Sequence, residues 1–197
     1  NVIDTLYVGH GVGPLAIAGL AIVLPLQILM FAVGYMVGTG SASIISRCLG
    51  AKDKDKASST AGNALIINTA ISIILMIVFY FSMDKMLMFF GASKDVLPYS
   101  KDYLSIIILG FIFYSFDVLG NNLIRAEGRP RAAMYSLIIG AVLNIILDPI
   151  FIFVFKMGVK GAAIATIISQ IINMIYILIY FNLSKSIFKF NLNMFKI

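Results

Sequence analysis

Charge is scarce in this 197-residue chain, where 12% of residues are Asp, Glu, Lys or Arg against 60% that are hydrophobic. With a mean hydropathy of +0.99, that composition excludes a soluble globular domain, which has no use for so much apolar surface. Cysteine is nearly absent. The single Cys48 excludes any internal disulfide, and its place beside Arg47 in a basic loop fits the reducing face of a membrane. The start lacks a basic stretch followed by an apolar core and a small-residue cleavage site, so no cleavable signal peptide is expected there. Basic residues are missing from the middle of every apolar run. The net charge of +6 lies in short loops, where membrane topogenesis accounts for it better than nucleic-acid binding does.

What is present is a series of runs near the roughly 20 residues needed to span a bilayer. They cover about residues 15–45, 58–81, 103–123, 132–155 and 161–181, and residues 1–8 read as the end of a further span. The expectation is an all-α integral membrane protein, a bundle of six transmembrane helices with short connections. The chain begins with Asn rather than Met, so it reads as truncated, with an incomplete first helix. Loops 46–58 and 124–131 and the C-terminal tail carry ten Lys and Arg residues, while the loops on the other side carry five. The positive-inside rule puts the first set in the cytoplasm of a multi-pass cell-membrane protein.

The most informative stretch is LNIILDP, residues 143–149, because it places an acid inside an apolar span. A charged aspartate near the centre of a membrane helix costs about 3 kcal/mol even on a lenient scale, so it should face a cavity or a partner. Asn144 and Asp148 are four residues apart and share one helical face. Their oxygens can converge on one small cation, and Pro149, which lacks an amide hydrogen, can free the carbonyl of Ile145. The alternative is a protonated Asp bonded to a neighbouring helix as packing glue.

Depth gathers further residues. Asp4 is six residues before His10, Asp148 eight before Lys156, and Thr166 six after Lys160, each counted from an outer helix end. At about 1.5 Å per residue, all three should lie roughly 9 to 12 Å below the outer surface. Asp117 counts from the other end, near Arg125, and is expected to play a structural or entrance role in the inner half.

Other polar positions carry weaker signals. Pro25 should kink the second helix, and Gln27 beside it either lines a cavity or bonds a neighbour. Gly34 and Gly38 read as close helix packing. Asn63 and Asn68 suit interhelical hydrogen bonds. Gln170 and Asn173 continue a polar stripe from Thr166 that should face protein or water. Residues 82–98 read as a longer outer loop lying against the interface, and residues 183–197 as an interfacial connector to something further on.

In order and spacing, NVIDTLYVGHGVG, SRCLGAKD, FGASKDV, RAEGRPR, LNIILDP and GVKGAAIAT together resemble the multidrug and toxic compound extrusion (MATE) family. The resemblance implies one six-helix lobe, residues 1–182, of a twelve-helix, two-lobe transporter whose second lobe is missing here. It implies a cation-coupled antiporter that exports small organic cations or drugs by alternating access. It assigns Asp4, Asn144, Asp148 and Thr166 to the site for the coupling ion, Na+ or H+, with no cofactor. The partners implied are the lipid bilayer, the cargo, and a C-terminal lobe or a second copy of the chain. Two rivals stay open: a flippase for lipid-linked precursors or polysaccharides in the same superfamily, and a transport-inactive piece. The flippase should carry basic residues in its cavity for an anionic pyrophosphate, and none sits mid-span here. An intramembrane aspartyl protease would also use buried aspartates, but neither a Tyr-Asp nor a Gly-Xaa-Gly-Asp sequence is present, and no enzymatic activity is expected.

Overall fold

The computed structural model describes residues 2–183 and residue 186, which form six α-helices and, among the described residues, no strand. They are α1 (Val2–Gly11), α2 (Pro14–Gly50), α3 (Lys54–Phe89), α4 (Leu97–Ala126), α5 (Pro130–Pro149) and α6 (Val159–Leu183). The five from α2 to α6 are long and apolar enough to cross a membrane, with α5 counted together with the turn that follows it. The connector expected at residues 183–197 lies almost wholly outside the described residues.

The helix ends follow from local chemistry. Pro stands at the first turn of α2, α4 and α5, where a missing N–H costs nothing. Asp53 caps α3, its Oδ1 accepting from the amide of Lys56 at 3.0 Å. Gly91 and Gly128 follow α3 and α4 with φ of 94° and 78°, which an L side chain would resist. One expectation fails. The outer loop read at residues 82–98 shrinks to residues 90–96, because α3 continues through Met83 and Met86, which pack on the core, to fully buried Leu87. Lys101 pairs with Asp84 at 2.8 Å and ties that extension to α4.

Helix α4 is the axis of the bundle and packs against α2, α3, α5 and α6. Two apolar cores stack along it. One surrounds Tyr103, Leu104, Ile108 and Phe111; the other surrounds Leu119, Leu123 and Ile124. Between them four helices contribute small or polar residues: Gly34, Gly38 and Ser41 from α2, Asn68 and Ser72 from α3, Ser115 from α4, Ser169 and Asn173 from α6. Asn68 Nδ2 donates to Ser115 Oγ at 3.2 Å, as the sequence led one to expect, and Ser72 Oγ stands 2.7 Å from the same oxygen. A Cβ added at Gly38 would lie 2.8 Å from Asn122 Nδ2, so there the close-packing reading holds. A double-mutant cycle pairing Asn68→Ala with Ser115→Ala should give a coupling of about 0.6 kcal/mol and no more than about 1.7, since unfolded helices in lipid find other partners. Denaturation of the purified protein measures it, and zero coupling would make the belt passive filler.

Candidate functional site

Four side chains from three helices meet where α1, α5 and α6 converge. On α5 the four-residue spacing works as geometry requires: Asn144 Nδ2 donates to Asp148 Oδ1 at 3.3 Å. The same Nδ2 lies 3.4 Å from Thr166 Oγ1 on α6, and Thr166 Oγ1 lies 3.4 Å from Asp4 Oδ2 on α1. Thr166 also reaches the carbonyl of Ala162 at 3.0 Å, so its single proton is shared between two acceptors. Asp148 is fully buried and Asp4 is 1% exposed, the two lying side by side. Asp148 Oδ2 has no hydrogen-bond partner among the described residues. Burying two acids together is costly unless a proton or a cation joins them.

Local backbone chemistry aims these groups. Pro149 lacks the N–H that would bond Ile145, and the chain widens after it into a π-helical turn, Ile150–Val154, closed by Phe155 N to Ile150 O at 2.9 Å. That turn lies against the start of α6. A Cβ at Gly161 would fall 2.8 Å from both the carbonyl carbon and the oxygen of Phe151, so only glycine allows the approach that sets Thr166 opposite Asn144.

The donor set is two carboxylates, an amide and a hydroxyl, which are hard oxygen ligands of the type a sodium ion takes. Among the described residues, no group of three or more His, Cys, Asp or Glu could hold a metal. Asn144 turns its NH2 rather than its oxygen toward Asp148. In this orientation the amide donates to one oxygen of the carboxylate; as a cation ligand it would be rotated to present its own oxygen.

A cavity of about 310 Å³ opens from Asn144 and Thr166 and runs past Gln170, Asn173 and Asp117 toward Arg125. A second, of about 290 Å³, is lined by Gln27, Phe31 and Phe111 and shares Tyr114, Thr166 and Gln170 with the first. Gln27 thus does both things its sequence context allowed, lining a cavity and bonding a neighbour, Tyr103, through Nε2 to the hydroxyl at 3.4 Å. Pro25 sits on the exposed side of α2, which runs through it without ending. Asp117 makes none of the cluster's hydrogen bonds, but it shares a cavity wall with Asn144 and Thr166. The sequence reading missed Tyr103 and Tyr114. Asn121 follows Asp117 by four residues and precedes Arg125 by four, so the three share one helical face.

The sequence pattern of the MatE family matches residues 1–150, which contain Asp4, Asn144 and Asp148. The multidrug export protein MepA of Staphylococcus aureus is 30% identical over 180 residues, covering 91% of this chain and 40% of that protein. The MepA of Staphylococcus haemolyticus is 31% identical over 175 residues, 89% of this chain and 39% of its own length. Among solved structures, a MATE protein in a bent conformation superposes with a TM-score of 0.95 at 28% identity, covering the whole chain and 44% of that protein. An inward-facing multidrug resistance MATE family transporter of the MOP superfamily gives 0.95 at 29% identity, with 100% and 45% covered. The chain spans about 40% of the length of the curated relatives it matches.

Proposed function

The chain belongs to the MatE family, and from that premise we propose that it is the cation-coupled lobe of an exporter of small organic cations and drugs. The observation that carries the proposal is the convergence of Asp4, Asn144, Asp148 and Thr166 at the end of a cavity that runs along α6 from Thr166 to Asn173. A proton or sodium ion entering this cluster removes the cost of two adjacent buried acids and so biases the packing of α1, α5 and α6. Cargo in the adjoining cavity senses that packing through Thr166 and Gln170, so ion and cargo occupancy are reciprocally coupled. Alternating access then requires a second lobe, from a longer polypeptide or a second copy, against which this one can rock. The outward surface of α5 suits such a partner: Met134, Leu137, Ile138, Val142 and Ile146 are exposed, although this helix carries Asp148.

Efflux of a fluorescent cationic dye tests the reading in cells expressing the chain alone and a two-lobe protein in which it forms the first lobe. Export by the two-lobe protein alone is expected, abolished by collapsing the gradient of the coupling ion. Silence from both would overturn export and return attention to the flippase. In the same assay Thr166→Val, which keeps shape and removes one oxygen, names the ion. Loss of sodium-driven efflux identifies sodium, while an unchanged rate under a proton gradient identifies the proton, for which the carboxylates suffice.

A further inference from the structure

The cavity holds a second polar pair that the ion cluster does not use. Asp117 on α4 and Asn173 on α6 are 6% and 7% exposed, and both line the cavity wall. The Asn173 side chain lies beside the Asp117 carboxyl group. Even so, Asp117 Oδ1 and Asn173 Oδ1 each lack a hydrogen-bond partner among the described residues. Two buried acceptors with nothing donating to them are unusual in a folded protein.

Three neighbouring donors are engaged elsewhere. Asn121 Nδ2 donates to Ala133 O at 2.7 Å and to Ser136 Oγ at 2.9 Å. Asn122 Nδ2 donates to Val118 O at 2.8 Å, and Ser169 Oγ to Ala165 O at 2.9 Å. The one cationic side chain on this wall, Arg125, is exposed two turns further along α4 and does not reach Asp117 Oδ1. The cavity is the open side from which a cationic group can reach these two oxygens. A carboxylate and an amide oxygen, with the rings of Tyr114 and Tyr35 on the same wall, select positive charge over negative.

We propose that Asp117 and Asn173 form a recognition subsite for the cationic head of the cargo, a protonated amine or a permanently charged organic monocation, separate from the Asp4, Asn144, Asp148 and Thr166 cluster. This rests on the proposed export function and adds to it a residue that sets charge selectivity. Binding to the cluster alone would leave Asp117 without a part in cargo choice; a separate subsite lets ion and cargo occupy the lobe together.

The test uses two ions of the same shape and opposite charge, tetraphenylphosphonium and tetraphenylborate, titrated calorimetrically into the purified two-lobe protein. Asp117→Asn should weaken tetraphenylphosphonium binding by about tenfold or more, as expected for the loss of a charge-assisted contact, and leave tetraphenylborate binding unchanged or tighter. Asp117→Glu should retain the preference for the cation. Unchanged affinity for both ions in a monodisperse Asp117→Asn protein would overturn the subsite and make Asp117 a packing residue. Should that variant fail to fold, Asn173→Ala decides: a selective loss of tetraphenylphosphonium supports the proposal, and equal effects on both ions reject it. A wild-type protein that effluxes dye but binds tetraphenylphosphonium no better than tetraphenylborate removes only the subsite. A wild-type protein that neither effluxes nor binds removes the export function as well.

Discussion

Asp148→Asn is expected to abolish ion-driven dye efflux in the two-lobe protein, bringing it to the level of cells without transporter, and to leave the amount of protein in the membrane unchanged. The side chain is fully buried, and an amide of the same shape fits its space. Asn144 Nδ2, now 3.3 Å from Asp148 Oδ1, would still find an amide oxygen there. What disappears is the capacity to change charge. Asp4 would remain as the only acid of the cluster, and a cation or proton entering it would no longer relieve repulsion between two carboxylates. Transport assays with immunoblots of membrane fractions check both halves of the expectation. Efflux retained at half the wild-type rate would move the coupling role away from Asp148.

Gly161→Val should be strongly destabilising. The new Cβ would sit 2.8 Å from the backbone of Phe151, an atom set that cannot swing aside as a side chain can. Overpacking of this kind costs about 1–3 kcal/mol where neighbours adjust. Here the adjustment must separate the turn after Pro149 from the first turn of α6, which also draws Thr166 away from Asn144. Gly110→Ala is the control, because its Cβ would meet the flexible end of Ile167. Thermal unfolding in detergent should fall well below wild type for Gly161→Val and much less for Gly110→Ala. Equal shifts would mean that the close approach at Gly161 is not what fixes the site.

The cluster was legible because its parts obey rules that act along the chain. Asn144 and Asp148 sit one helical turn apart, and Asp4 and Thr166 fall at a matching depth when residues are counted from charged helix ends. The second polar pair was not. Asp117 lies eight residues from Arg125 and reads as belonging to the inner half, and Asn173 belongs to a stripe on another helix. Their adjacency depends on how α4 and α6 are rotated about their axes, which hydropathy does not encode. The outer loop was misjudged for a related reason: Asp84 and Lys85 lower the apolar signal after residue 81, yet Leu87 is fully buried and carries α3 on to Phe89.

The sequence by itself determined that the protein is a membrane bundle of helices, which five of them are long and apolar enough to cross, and which acids must be protected from lipid, because burial cost and helical period act locally and leave their mark on composition. Only the tertiary structure decided that α4 is the axis and that a polar belt divides two apolar cores. It alone set Gly161 against Phe151 to bring α6 to α5, and put Asp117 beside Asn173 on the wall of one cavity. Those outcomes depend on the contact of side chains distant in sequence, through helix rotation and close approach, which no single stretch of chain contains.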